Sequence, residues 1–427
     1  MKARQAYFLS MAILVLLPAA VRAAPARNGA AFNVSNCATC KKRVASIAGV
    51  AAAGTAAGTF AVSWESTSTV DPLGITGRFF TKAAAPRGAE ALVNKDTVPQ
   101  QHDPSVATDS QGNAVVVWSA KNGPNSDVLG QRYKATGAVN GLPFVVNVDT
   151  PGAPVPAVDS DPVVAMAANG TFVVSWIRAV PPGASSPAEN AAVMARRYSA
   201  AGVPLGAPVK ISTGLVAGIK PDACIDTTGR AVVAWTTVDG FHPFQPDKNG
   251  VALRRLATAG APLDAEIVVA PPTASDTTTA VVCGAGGTFV VIWSTNLAPA
   301  VSGGSDVVAQ RFTTLAKRNG AVFRINSITT GDQNLPAASA DAGGNFVVTW
   351  QSHIPGSPVL TSDAVLGRRF LASATADGAD FVVRARTTKL EERPGTPDVA
   401  NLGANGFVIV WSQGNAVLQG QRYKLGK

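Results

Sequence analysis

The apolar positions of this chain come in short dense runs without helical spacing. Phe172-Val173-Val174-Ser175-Trp176 and Phe346-Val347-Val348-Thr349-Trp350 are nearly apolar on both faces. A strand with one wet face alternates, so such runs predict strands covered on both sides. Each run ends in Trp and follows a shorter strand-like piece and a turn. The plainest copy runs from Asp103 to Trp118, with Gln111-Gly112-Asn113 at the turn. The same pattern ends at Trp64, Trp176, Trp235, Trp293, Trp350 and Trp411, which with Trp118 are all seven tryptophans, spaced 54 to 61 residues apart.

Each repeat has four strand-like pieces. In the second copy they are Pro104–Thr108, Ala114–Trp118, Asp127–Lys134 and Phe144–Val148. Third strands recur at Arg78-Phe79, Arg197-Tyr198, Arg255-Leu256, Arg311-Phe312, Arg369-Phe370 and Arg422-Tyr423. Four-stranded sheets set radially, each sandwiched between two others, give every second strand two dry faces. The repeat overrides the two or three domains that length alone would suggest. The seventh copy stops near Tyr423, where a fourth strand is due. Arg27-Asn28-Gly29-Ala30-Ala31-Phe32 matches Arg318-Asn319-Gly320-Ala321-Val322-Phe323, the lead-in to a fourth strand. The N-terminal strand, about residues 30–35, is therefore expected to complete the last sheet and remove an exposed edge.

These motifs, Gly-Gly-Asn-Phe-Val-Val-Thr-Trp-Gln-Ser with Gly-x-Arg-Phe/Tyr, resemble repeats of secreted bacterial seven-bladed β-propeller proteins. The resemblance spans the chain after its leader. It implies an all-β seven-bladed propeller closed by the N-terminal strand, and it implies no activity, since propellers host hydrolases, lyases, lectins and binding platforms. The calcium-binding nonapeptide repeats of some large relatives are missing, so no calcium role carries over.

Residues 1–23 read as a signal peptide: Lys2 and Arg4, an apolar run from Leu9 to Leu17, then Val21-Arg22-Ala23. Residues 24–427 are expected to form one domain. The run is too short for a membrane span, and no later stretch reaches spanning length. The expectation is an exported chain, periplasmic or extracellular. The formal charge is +9; losing Lys2, Arg4 and Arg22 with the leader leaves about +6. The basic residues are dispersed and form no aromatic-interleaved stripe, which argues against nucleic acid.

Residues recurring in every sheet are read as structural. The seven Trp fill gaps between sheets, and the third-strand Arg pair with carboxylates or stack on rings. Asp109, Asp226 and Asp341 are expected to bond turn amides. They differ from the sialidase Asp-box, in which Gly follows Asp by two residues; Asp109 and Gly112 are three apart. Four cysteines in an exported chain favour disulfides. Cys37-Ala38-Thr39-Cys40 predicts a local bridge. Cys224 and Cys283 sit eleven and ten residues before Trp235 and Trp293, which predicts a staple across one gap.

The connections after the second strands, Ile177–Ala191, Thr236–Asn249, Ser294–Ser305 and Gln351–Ser362, are long and varied. They share one face with the starts of the first strands, and binding is expected there. The candidate residues are His102, Asp103, Asp161, Asp222, His242, His353 and Asp398. The histidines lack ligand-like spacing, so no metal and no cofactor are expected. Glu65, Glu189, Asp239, Asp247, Asp363, Glu391 and Glu392 lie on or near that face without a spacing that selects a pair. Repetition without a unique polar constellation predicts a non-catalytic, monomeric binding scaffold for a polysaccharide or a surface or envelope protein. The alternative is a carbohydrate-active hydrolase or lyase with carboxylates at the channel mouth.

Overall fold

The computed structural model describes residues 23–37, 40, 42–50, 56–67, 73–94, 100–122, 125–148, 158–179, 191–213, 221–238, 249–274, 277–296, 304–353, 363–385, 395–414 and 417–425. The expected leader lies outside these up to residue 22.

The chain is all-β. A two-residue strand comes first, β1 (Phe32–Asn33). A meander follows: β2 (Lys42–Gly49), β3 (Phe60–Ser66), β4 (Gly74–Phe80) and β5 (Ala91–Leu92). The unit repeats as β6 (Gln100–Thr108), β7 (Ala114–Asn122), β8 (Asn125–Tyr133) and β9 (Phe144–Val145). Next come β10 (Val158–Met166), β11 (Phe172–Ala179), β12 (Ala191–Tyr198) and β13 (Val209–Lys210). Then β14 (Asp222–Ile225), β15 (Ala231–Val238), β16 (Asn249–Leu256) and β17 (Ile267–Ala274). The fifth copy is β18 (Thr277–Cys283), β19 (Phe289–Thr295), β20 (Asp306–Phe312) and β21 (Phe323–Arg324). The sixth is β22 (Asp332–Ala340), β23 (Phe346–His353), β24 (Asp363–Phe370) and β25 (Phe381–Arg384). The chain ends with β26 (Asp398–Asn401), β27 (Phe407–Gln413) and β28 (Val417–Tyr423). Consecutive strands pair antiparallel in four-stranded sheets, and one parallel bridge, Val158 to Ser126, merges β6–β13 into a single ladder.

The first hairpin turns are built as expected. Asp109 Oδ1 accepts from the amides of Gln111 and Asn113, both at 2.9 Å, while Gly112 takes a φ of 83° that a side chain would resist. Asp226 and Asp341 repeat the arrangement.

The core lies between sheets. One apolar cluster joins β3–β5 to β6–β8, and another joins β6–β9 to β10–β12. Further clusters join each following pair, and one holds β26–β28 against β2–β4. Each Trp packs toward the sheet before its own, and none is more than 2% exposed. Trp176 donates to Asp159 Oδ1 at 2.7 Å, and Arg178 grips both oxygens of that buried carboxylate at 2.9 Å. The third-strand arginines are ties between sheets. Arg196 and Arg254 reach back to the carbonyls of Val146 and Ile211, and Arg197 and Arg311 reach forward to Gly229 and Ser373.

The N-terminal strand pairs antiparallel with β28, Phe32 opposite Gly420 and Asn33 opposite Gln419. Only residues 32–33 have strand geometry, fewer than the 30–35 expected. Single bonds extend the contact: Asn28 N to Arg422 O, Val34 N to Leu418 O, and Lys424 N to Ala26 O. Outer strands are short elsewhere too; β5, β9, β13 and β21 are also two residues long. Arg27 donates to Val383 O at 3.0 Å just as Arg318 donates to Val269 O at 2.7 Å, so the sequence match between these segments is a structural match.

Both expected disulfides form. Cys37–Cys40 closes a short loop, and Cys224–Cys283 links β14 to β18 across 59 residues. The two fit an oxidising compartment. A loop of that length should contribute about 4 kcal/mol through the unfolded chain. The Cys224→Ala/Cys283→Ala double variant should therefore show a clearly lower denaturant midpoint; an unmoved midpoint would contradict this.

Candidate functional site

A cavity of about 500 Å³ opens where the first strands face one another; β2, β6, β10, β14, β18, β22 and β26 all contribute to its wall. Its size suits a small ligand or a few sugar units. Four of the aspartates singled out in the sequence share this wall: Asp103, Asp161, Asp222 and Asp398. All four are half-buried.

Two of them have an evident structural duty. Asp222 Oδ2 accepts from the amide of Val281 on the next sheet at 2.7 Å. Asp398 Oδ2 accepts from Ile47 N at 2.9 Å. Ser46 and Ser105 do the same with Val106 N and Val164 N. All four side chains occupy one register, opposite the residue just before the sheet's Trp. An inner-strand hydroxyl or carboxylate thus clasps the neighbouring inner strand, satisfying an amide that the sheet's own pairing leaves over. Sequence reading missed this clasp, because it joins residues about sixty or more positions apart.

Asp103 and Asp161 stand elsewhere. Each sits in a β-bulge and precedes a Pro, with φ of 54° and 52°. Leu335 and Thr278 hold equivalent bulges in β22 and β18, with φ of 52° and 47°. The bulge itself therefore does not need an acid. Bulges re-aim side chains next to functional sites, and left-handed backbone at a non-glycine residue is a pointer to function. Ser160 Oγ donates to Asp161 Oδ2 at 2.9 Å. Glu65 Oε1 accepts from Asp103 N at 2.9 Å and lies 3.8 Å from His102 Nδ1.

Neither described histidine joins the cavity wall. His102 lies beside it against Glu65, whose carboxylate raises the imidazole pKa above 6.5 despite partial burial. Folding raises this pKa, so the pair adds stability in full below the unfolded value and loses it as pH rises through the folded one. In an NMR titration His102 should titrate above 6.5, and Glu65→Gln should bring it down; equal values in both proteins would count against the pair. His353 bonds Asp363 at 2.6 Å, across the β23–β24 pair. His242 lies outside the described residues, as do most of the long connections and Glu189, Asp239, Asp247, Glu391 and Glu392. Among the described residues no three His, Cys, Asp or Glu are grouped to hold a metal ion, and no helix is long and apolar enough to cross a membrane.

No protein-family model and no curated protein sequence matches the chain. Solved structures do. A protein of unknown function from Dyadobacter fermentans superposes with a TM-score of 0.53 at 11% identity, over 94% of this chain and 99% of that one. A Hadza microbial sialidase gives 0.51 at 11% identity, over 86% and 76%. An α-L-arabinanase from Penicillium chrysogenum gives 0.47 at 13% identity, over 76% and 93%. At these identities the likeness establishes the β-propeller fold. It also overturns the expectation of a non-catalytic binding scaffold: the sialidase shows that this arrangement of repeated sheets carries glycan chemistry, so repetition was no ground for excluding an enzyme.

Proposed function

We propose that the chain is an exported carbohydrate-active hydrolase, built as a seven-bladed propeller that its N-terminal strand closes. Asp103 and Asp161 are its acid and its nucleophile or base. The single observation behind this is the pair of aspartates, raised on left-handed bulges of two consecutive inner strands, in the wall of one cavity. Closure is supported by the Asp398–Ile47 clasp, which repeats between the last and first sheets the bond made between Asp222 and Val281.

Glycoside hydrolysis needs two carboxyl groups on either side of the scissile bond. One, protonated, delivers its proton to the departing glycosidic oxygen. The other attacks the anomeric carbon, or takes a proton from the water that does so. In the first case the glycosyl ester is then hydrolysed, which returns both groups to their starting states. Glu65 holds the backbone of Asp103, and Ser160 holds the carboxylate of Asp161 before substrate arrives.

The test is release of reducing ends from a panel of arabinans, sialylated glycans and bacterial envelope polysaccharides. The reading predicts turnover on at least one class. Saturable glycan binding without turnover on any of them would overturn it.

A further inference from the structure

The geometry points to a second ligand site, separate from the cavity of the first strands: a slot for an aromatic carboxylate between the β2–β5 and β6–β9 sheets. It follows from a ring that the chain sets over a third-strand glycine at three other junctions and omits here. Phe32, Phe144 and Phe381 each start an outer strand and each face a glycine on the third strand: Gly420, Gly130 and Gly367. The rings lie directly over those glycines; a Cβ added at Gly130 would meet the Phe144 ring at 2.4 Å, and at Gly367 the Phe381 ring at 2.6 Å. Each ring also packs on aromatics of the next sheet, as Phe144 does on Tyr198 at 5.4 Å.

In the β2–β5 sheet the glycine is kept and the ring is gone. Gly77 faces Ala91. A Cβ at Gly77 would meet only the edge of Val93 at 3.2 Å and a carbonyl at 3.7 Å. The space is a cavity of about 100 Å³, with Gly77, Ala91, Phe79 and Tyr133 in its wall. Phe79 and Tyr133 lie 5.8 Å apart, so two aromatic side chains already border it. The scale is that of one ring. Arg87, an exposed residue, also lines it and supplies a cation. An aromatic ring would gain the contacts that Phe144 gains in its own slot, and a carboxylate on that ring would meet the guanidinium.

Titration of the full chain with phenylacetate, followed by calorimetry and by NMR of the Tyr133 and Phe79 rings, tests this. Wild type should bind saturably, in the millimolar range or tighter. Ala91→Phe supplies the missing ring, and should abolish binding, raise the melting temperature and leave glycan cleavage unchanged. Arg87→Gln, at an exposed position that cannot endanger folding, should weaken phenylacetate about tenfold while leaving benzyl alcohol unaffected. Absence of saturable binding to wild type, or equal binding to Ala91→Phe, would overturn the slot. Equal phenylacetate affinity in Arg87→Gln would overturn the assignment to carboxylates. Because cleavage is measured separately, failure here would leave the glycan reading untouched, and the converse holds.

Discussion

A chain that begins at residue 37 should be less stable than the chain beginning at residue 24 by roughly 4–6 kcal/mol, and should aggregate on standing. Phe32 packs on Phe60 and Phe80 with centroids at 6.0 and 5.7 Å, and Val34 is fully buried in the same cluster. Phe32 is half-buried, so its loss should cost about 2–3 kcal/mol, less than the roughly 3–5 kcal/mol of a fully buried Phe, and exposing the partners of a buried Val adds about 1.5–3 kcal/mol. The truncation further takes from Arg78 its bond to Val34 O at 3.2 Å, and from β28 its outer partner. An unpaired outer strand invites other chains. Phe32→Ala alone should account for about half the loss, whereas Asn33→Ala, at an exposed position of the same strand, should be near neutral. Chemical denaturation with light scattering checks all three. A truncated chain with an unchanged midpoint would show that the N-terminal strand is not part of the cooperative fold, and the closed ring would fall with it.

What could be seen beforehand, and what could not, divides by the range of the interaction. The strand pattern, the turn aspartates and the Trp positions are local or strictly periodic, so counting finds them. Cys224 and Cys283 were legible for the same reason: their offsets from Trp235 and Trp293 fix which way each side chain leaves its strand. The clasp by Asp222 and Asp398 was not legible, because its meaning lies in the amide it meets on another sheet. The order Asp-Pro at 103 and 161, against Pro-Asp at 222 and 398, is local, but its meaning lies in the bulge, which shifts pairing between His102 and Ser105 and between Ser160 and Val163. The histidines drew attention as rare chemistry in loops, and the two that are described turn to carboxylates beside them, away from the cavity. The missing ring could have been noticed. Gly130 to Phe144 and Gly367 to Phe381 are each fourteen residues apart, and so are Gly77 and Ala91; the departure becomes meaningful only once ring and glycine are known to touch.

Asp103→Asn and Asp161→Asn should each lower kcat on a cleaved glycan by about 10²–10⁴-fold, the usual contribution of a positioned acid or base, with little change in melting temperature. The contrast with the other two wall aspartates makes the prediction sharp. Asp222 and Asp398 occupy the register where Ser46 and Ser105 make the same clasp with a hydroxyl. Asp222→Ser and Asp398→Ser should thus keep both stability and turnover, since the clasp needs only an acceptor of short reach. Asp222→Ala should cost about 1–3 kcal/mol by leaving the Val281 amide unsatisfied, and on the proposed reading the protein that remains folded should keep its kcat. The four residues share one wall and one charge, so a merely electrostatic role for the cavity would make the four substitutions alike in their effect on turnover. Separation into two that abolish turnover and two that spare it would tie the chemistry to the bulged pair. Activity lost with Asp222→Ser but kept with Asp103→Asn would assign the chemistry to the clasps instead, and would require the reaction to run at a carboxylate that also holds the sheets together.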